Sequence, residues 1–436
     1  MGKGQDLYNK AKTLIPGATQ LLSKRPEMFL PDFWPAYYDR AEGCSVWDLD
    51  GNKYLDMSYM GIGACVLGYA HPEINAAAID AVNRSNMCTL NVPEEVELAE
   101  LMCKLHPWAQ MVRYTRSGGE AMAVAIRIAR ASSGRDKILF CGYHGWHDWY
   151  LSANLAVDKA LDGHLLPGLD PAGVPRDLKD SAIPFNYNNT IEFLNLADKY
   201  KGEVGVIVME SIRDSKPTQE FIDAIHKVVK EQNIVFVVDE ITAGFRLNAG
   251  GAHLVLGLKP DIAVFGKAIS NGFPMGVIIG KKEVMEKAQE SFISSTYWTD
   301  RIGPTTSLAT IKYFIDNNVQ DYLVKIGEQV QKEWNNLAIK NGVKIKVGGL
   351  APLSHFSFDY DKPLVFKTLF TQKMLELGIL ANTSFYVSYA HKPEFVSLYL
   401  EACDKTFAFI TETIQTGEPE KFLKGPVCHS GFKRLT

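Results

Sequence analysis

The chain has 436 residues, 46% hydrophobic and 22% charged, a balance that excludes a disordered or collagen-like chain. Single cores stop growing beyond roughly 250–300 residues, so two packed domains and a cleft are expected. The 46 basic and 50 acidic residues leave a net charge of -4, spread along the chain, with no basic footprint for nucleic acid.

No stretch reaches the ~18 uninterrupted apolar residues of a membrane span. The opening Met1-Gly2-Lys3-Gly4-Gln5-Asp6 lacks the apolar run of a signal peptide. A cytoplasmic location without a membrane partner is expected. The 7 cysteines are scattered and form no C-x-x-C pair, so neither a disulfide framework nor a zinc site is expected, and no metal is assigned.

In chain order, residues 46–55 form two alternating runs about Asp50-Gly51-Asn52, which predicts a hairpin packed beside the C-terminal domain. Helices are predicted over 72–84 and 93–105. After Gly119, residues Ala121, Val124, Ala125, Ile128 and Ala129 recur at i, i+3, i+4, i+7 and i+8 before Gly134, the pattern of an amphipathic helix ended by glycine. Apolar runs at 137–141, 204–209, 234–238, 261–265 and 277–280 predict strands buried on both faces. With a helix at 218–231 between them, residues 110–285 read as a mostly parallel sheet wrapped by helices. Helices at 307–315, 319–339 and 363–377 suggest a separate α+β domain. The expected division is an N-terminal segment over 1–65 packing with the small domain, a large domain over 66–305 and the small domain over 306–436, with a polar tail from Gly417.

In a parallel α/β sheet ligands sit beyond the carboxyl ends of the strands, and those ends are polar here. Gly142-Tyr143-His144-Gly145 follows the first strand, Glu210 the second, Asp239-Glu240 the third and Gly266-Lys267 the fourth. A lysine directly after a buried strand could form a Schiff base with an aldehyde, and partial burial favours its neutral form; a solvated loop lysine also fits that position. Asp239 ends an apolar run, where a carboxylate is costly unless it meets a cation. A protonated pyridinium would be such a cation, although a helix cap or a metal ligand also suits an aspartate there. Ser117-Gly118-Gly119 opens the predicted helix, where free N–H groups and the dipole favour phosphate; loops also often end in glycine. Tyr143 offers a flat face for a ring or packs as a core aromatic, and His144 receives no role. There is no G-x-G-x-x-G after a strand, no G-x-x-x-x-G-K-[ST] and no H-E-x-x-H, which argues against NAD, a P-loop nucleotide and protease zinc.

Several segments stand in a telling order: Leu14-Ile15-Pro16-Gly17, Leu67-Gly68-Tyr69-Ala70-His71-Pro72-Glu73, Ser117-Gly118-Gly119-Glu120-Ala121, Tyr143-His144-Gly145, Asp239-Glu240-Ile241-Thr242-Ala243-Gly244 and Phe265-Gly266-Lys267-Ala268-Ile269-Ser270-Asn271-Gly272. From about Leu7 to Phe407 the chain resembles the class III (subgroup II) aminotransferases, especially the glutamate-1-semialdehyde 2,1-aminomutases. The resemblance implies the α/β fold of pyridoxal-5′-phosphate (PLP)-dependent transferases of fold type I, aspartate-aminotransferase-like. That fold has a mostly parallel seven-stranded sheet in the large domain and a smaller α+β domain. The resemblance also implies PLP as cofactor, Lys267 as Schiff-base lysine and proton shuttle, and Asp239 on the pyridinium. Ile241 would lie under the ring and Tyr143 above it, while Ser117, Gly118 and Gly119 would cradle the phosphate. Glu210 would join the cofactor set, and Thr296 would reach the phosphate of a neighbouring subunit in a homodimer.

The chain also departs from the family pattern. Ser-Gly-Gly replaces the usual Ser-Gly-Thr, removing one hydroxyl from the phosphate loop. Asp300-Arg301-Ile302-Gly303-Pro304 replaces the common Gly-Asn-Pro, adding charges that either read substrate or pair with each other. Lys24 stands where an arginine is usual, with Arg25 beside it, and Ile62 replaces a tryptophan; a lysine lacks the bidentate fork for a carboxylate. Asn382-Thr383-Ser384-Phe385-Tyr386 holds no acid. These changes, with the aromatics Tyr297, Trp298, Phe385 and Tyr386, suit a small polar carbonyl acceptor such as an oxo-sugar or aminoglycoside precursor, or else the aromatics simply pack. The expected activity is an aminotransferase that takes an amino group from an amino donor by way of Lys267. An intramolecular aminomutase or a racemase is the alternative, and a PLP-binding protein without turnover is disfavoured by the pairing of Lys267 with Asp239.

Overall fold

The computed structural model describes residues 2–164, 167–212 and 214–432, which fall into two compact units. One comprises residues up to His71 and from Tyr322 onward; the other is Pro72–Asp321.

The Pro72–Asp321 unit is built on a seven-stranded sheet of Met111–Thr115 (β1), Lys137–Cys141 (β2), Ala182–Pro184 (β3), Val204–Glu210 (β4), Val235–Asp239 (β5), Ile262–Phe265 (β6) and Gly276–Gly280 (β7). Their order is β1-β7-β6-β5-β4-β2-β3. All neighbours from β6 to β3 are parallel, and β7 alone runs against both of its neighbours. The five strands predicted from apolar runs are present. The two that the sequence reading did not single out, β1 and β3, are the sheet's edges. An edge strand is not buried on both sides, so β1 reads Met-Val-Arg-Tyr-Thr with only Thr115 buried, and β3 is three residues long and ends in proline.

Side chains alternate across this sheet. Val206 and Val208, Val235 and Val237, and Ile262 and Val264 pack with the Gly118–Ser133 helix, whose predicted face of Ala121, Val124, Ala125, Ile128 and Ala129 is buried. Ile207, Met209, Phe236 and Val238 pack on the opposite face with Phe221 and Ile225 of the Gln219–Gln232 helix. The same parity sends Glu210 and Asp239, cross-strand neighbours in the β4–β5 register, toward the face of the Gly118–Ser133 helix, and Glu240 toward the other.

That helix begins with a capping box. Ser117 Oγ accepts the Glu120 N–H at 3.5 Å, and the Glu120 carboxylate accepts the N–H groups of Ser117 at 3.0 Å and Arg116 at 3.2 Å. Gly134, left-handed at φ 64°, ends it. The Ile302–Asp316 helix starts earlier than the predicted 307, because Pro304 falls in its first turn, where a missing N–H costs no hydrogen bond. It packs on the Pro72–Asn83 and Glu94–Leu105 helices and on the Lys267–Ser270 turn.

In the other unit the expected hairpin is Ser45–Asp48 against Lys53–Asp56. The Asp48 carboxylate holds its turn by accepting the N–H groups of Asp50 at 2.9 Å and Asn52 at 2.8 Å. Lys53–Asp56 also pairs with Ile379–Leu380 in parallel, so the first and last thirds of the chain share a four-stranded sheet. A second sheet of Ile345–Gly348, Leu353–Phe358 and Ser384–Tyr386 is covered by the Pro363–Glu376 and Pro393–Gln415 helices around Trp334, Phe356, Phe370 and Phe407. Among the described residues no helix is long and apolar enough to cross a membrane.

Candidate active site

Asp239 ends β5 almost fully buried, at 4% exposure. Its Oδ1 accepts the Ile241 N–H at 2.9 Å, and its Oδ2 lies 2.8 Å from His144 Nδ1. The His144 ring is fixed from the other side by the Cys141 carbonyl, 3.1 Å from Nε2, and by Trp149, stacked at 6.1 Å. Glu240 points away. Its Oε1 accepts from His253 N and faces His253 Nδ1, at 2.7 and 2.8 Å, and its Oε2 accepts from Ser211 Oγ at 3.0 Å. Adjacent carboxylates therefore serve opposite faces of the sheet.

Lys267 follows β6 with φ 46°, the left-handed region that non-glycine residues seldom occupy. Its Nζ donates to Thr242 Oγ1 at 2.7 Å. Although the residue keeps some surface, the amine is enclosed. Burial pulls its pKa below the ordinary lysine value, against the opposing charges of nearby Asp239 and Glu210, and Arg246 adds to the lowering.

Glycines bring the remaining parts together. A Cβ on Gly118 would stand 3.1 Å from Ile241 Cδ1, and one on Gly266 would stand 3.4 Å from Ile241 Cγ2. Ile241 therefore lies between the start of the Gly118–Ser133 helix and the residue before Lys267. Gly142, at φ 117°, lets Glu210 approach to within 2.6 Å of where a Cβ would be, and Glu210 accepts the Tyr143 N–H at 3.2 Å. The Tyr143 ring meets Tyr150 edge-on at 5.9 Å. Burial pushes its phenol pKa up, helped by the charges of Asp239 and Glu210.

The structure thus gathers Gly118, Gly119, Tyr143, Glu210, Asp239, Ile241 and Lys267 about the carboxyl ends of β2, β4, β5 and β6, with Ser117 capping the helix. Thr296 takes part in none of these contacts. It is exposed, opens the Thr296–Thr299 turn, and its carbonyl accepts the Thr299 hydroxyl at 2.9 Å. His144, which received no role from sequence, contacts Asp239, and Thr242, which likewise received none, contacts Lys267; a position just beyond a strand end is the only sequence signal either carries.

The added charges near Thr296 are held internally, neither pairing with each other nor left free. Asp300 Oδ1 accepts from Arg116 Nη2 at 2.9 Å and from Gly303 N at 3.0 Å. Arg301 donates to the carbonyls of Arg84 at 2.8 Å and Ser85 at 3.3 Å, and its Nε lies 3.4 Å from Glu94. Of the aromatic group, Phe385 is fully buried between His391 and Tyr399 and offers no open face. Trp298 packs on the core and Tyr297 is 71% exposed.

An enclosed amine with lowered proton affinity, a buried carboxylate held by two partners, an apolar contact at Ile241 and helix N–H groups form a donor set that fits PLP. Each part of that molecule, aldehyde, ring nitrogen, ring face and phosphate, has a residue of matching chemistry.

Residues 31–388 match the family described as aminotransferase class-III. The 3-aminobutyryl-CoA aminotransferase of Cloacimonas acidaminovorans is 26% identical over 95% of this chain and 99% of its own. The glutamate-1-semialdehyde 2,1-aminomutase of Archaeoglobus fulgidus is 29% identical over 93% of this chain and 99% of its own. The 2'-deamino-2'-hydroxyneamine transaminase of Streptomyces kanamyceticus is 28% identical over 75% and 79%. The solved structure of the FumI protein of Sphingopyxis sp. MTA144 covers 97% of this chain and 100% of its own, with a TM-score of 0.87 at 23% identity, a likeness of fold.

Proposed function

The chain belongs to the class-III aminotransferases, PLP-dependent enzymes that move amino groups, and from that premise we propose that Lys267 carries the cofactor and Asp239 faces its ring nitrogen. The observation that carries this reading is the enclosed Lys267 amine, held by Thr242 at 2.7 Å and near enough to Asp239 to feel its charge. When bound, PLP supplies an aldehyde that condenses with amines and a ring that draws off electron density. Burial shifts the Lys267 amine toward its neutral form, the form able to accept a proton from substrate carbon and return it. Thr242 holds that amine in place between transfers. Asp239, oriented by His144 and the Ile241 N–H, presents a fixed negative charge to the ring nitrogen. Ile241 and Tyr143 flank the ring faces, Glu210 positions Tyr143 through its N–H, and Ser117, Gly118 and Gly119 receive the phosphate. In this reading Thr296 serves the phosphate of the partner in a homodimer, which accounts for its exposure.

For the acceptor we propose a small polar carbonyl compound of the oxo-sugar or aminoglycoside-precursor class. Asp300 and Arg301 are engaged internally, and Lys24 lacks the fork that grips a carboxylate. The Streptomyces relative is named as a 2'-deamino-2'-hydroxyneamine transaminase, which supports a polar, hydroxyl-rich substrate. An intramolecular aminomutase or a racemase would use the same residues, and the Archaeoglobus relative favours that second reading.

Borohydride reduction of the protein with PLP, followed by peptide mapping, is expected to place the label on Lys267. A protein that stays colourless with PLP and takes no label would end the proposal. Offering amino donors with and without a separate oxo-sugar or keto acid separates transfer from mutase and racemase chemistry, since only transfer depends on the second compound.

A further inference from the structure

The phosphate end of the site has a feature that the loss of the usual threonine at position 119 leaves unexplained. A Cβ on Gly119 would lie 2.9 Å from His147 Cε1 and 3.0 Å from His147 Nδ1, with Trp146 Nε1 at 3.4 Å. The space that a side chain at 119 would need is thus taken by the His147 ring. The approach is built from both sides: Gly145, at φ 103°, would with a Cβ stand 3.2 Å from Gly119 Cα, so the 142–147 loop rests directly on the first turn of the Gly118–Ser133 helix.

His147 is also held in this place. Its carbonyl accepts the N–H groups of Tyr150 at 2.9 Å and Leu151 at 3.1 Å, capping the Asp148–Leu151 turn, and its ring packs on Trp146 at 4.4 Å. Its Nδ1 is buried and has no hydrogen-bond partner among the described residues. A buried, unsatisfied polar atom costs roughly 1–3 kcal/mol, and here it sits beside helix N–H groups that favour an anion.

We propose that His147 Nδ1–H is a phosphate-binding donor, taking over the contact that a hydroxyl at position 119 would make. The inference rests on the reading that Ser117, Gly118 and Gly119 receive the PLP phosphate. Burial lowers the pKa of the ring below the ordinary histidine value, against the charges of Glu120 and Asp148, and a neutral imidazole still donates one N–H, here from Nδ1. Trp146 is 68% exposed, so its indole N–H has water as an alternative partner, whereas the buried Nδ1 of His147 does not.

The test compares dissociation constants of PLP and of pyridoxal, which lacks the phosphate, for the full chain stripped of cofactor, read by tryptophan fluorescence. His147→Phe keeps a ring and the backbone cap but removes the donor. It is expected to weaken PLP about tenfold, the weight of one charge-assisted hydrogen bond, and to leave pyridoxal within about twofold of wild type. Gly119→Thr combined with His147→Ala is expected to restore PLP affinity. Equal weakening of both ligands, or PLP held by His147→Phe as tightly as by wild type, would overturn the proposal. Wild-type protein that binds pyridoxal as tightly as PLP would instead bring down the underlying phosphate reading.

Discussion

His144 Nδ1 lies 2.8 Å from Asp239 Oδ2, while Nε2 of the same ring lies 3.1 Å from the Cys141 carbonyl. The ring therefore links the carboxyl end of β2 to that of β5 and fixes how the buried carboxylate is aimed. His144→Phe keeps the stack on Trp149 and leaves the Asp239 carboxylate, among the described residues, with the Ile241 N–H as its donor. We expect kcat to fall about 10–100-fold, the kinetic equivalent of roughly 1–3 kcal/mol, with partial recovery in His144→Gln. Unchanged kcat in His144→Phe would show that the ring only packs.

Lys267 sets function against stability. Burial lowers its pKa in the folded chain, so between that lowered value and the usual ~10.4 the unfolded chain binds more protons than the folded one. Stability contributed by this residue therefore rises with pH across that window and is fully present only above it. Lys267→Met, which fills the space without a charge to bury, should abolish turnover. It should also raise the Tm of the cofactor-free protein at pH 7, with the gain shrinking as the pH approaches 10.4. A lower Tm for Lys267→Met at pH 7 would contradict this account.

The parts of the molecule that sequence made legible are those whose signal is local. Interior strands announce themselves because both faces are apolar, and Lys267 and Asp239 stand out because polar groups interrupt those runs. The edges β1 and β3 carry no such signature, being half exposed or short. Side-chain wiring was hidden for a different reason. His144 to Asp239 spans 95 positions and Arg116 to Asp300 spans 184, and nothing in the local pattern of either segment points to its partner. Phe385 likewise looks like a candidate binding aromatic in sequence and is core in the fold.

Arg116 and Asp300 form a largely buried pair, at 10% and 18% side-chain exposure. Arg116 Nη2 also donates to the carbonyl groups of Trp298 at 2.9 Å and Asp300 at 3.1 Å. A Cβ on Gly303 would come within 3.2 Å of the guanidinium carbon. Asp300→Ala strands the buried guanidinium, and we expect a loss of about 2–4 kcal/mol in urea denaturation, somewhat below a fully buried pair. Removing both partners should cost less than removing Asp300 alone. If Asp300 instead read substrate, its replacement would raise KM while leaving the denaturation midpoint in place.

His106 makes the fold sensitive to acid from within the same unit. Its Nδ1 lies 2.9 Å from the Met102 carbonyl, its Nε2 accepts the Gly251 N–H at 3.1 Å, and its ring stacks on His253 at 5.5 Å. Burial lowers its pKa from 6.5 to about 4, partly offset by the Met102 carbonyl. The unfolded chain thus takes up a proton near 6.5 that the folded chain accepts only near 4, and stability present above the first value is lost as the pH falls toward the second. The loss approaches about 3 kcal/mol. His391, enclosed in the other unit and likewise lowered to about 4 by burial, adds a similar slope there. Unfolding free energies measured from pH 7 to pH 4.5 should therefore fall steeply in wild type. In His106→Leu they should start lower, because the Gly251 N–H loses its acceptor, and decline less steeply for the Pro72–Asp321 unit. An identical slope in that variant would mean that acid acts on the fold through groups other than this ring.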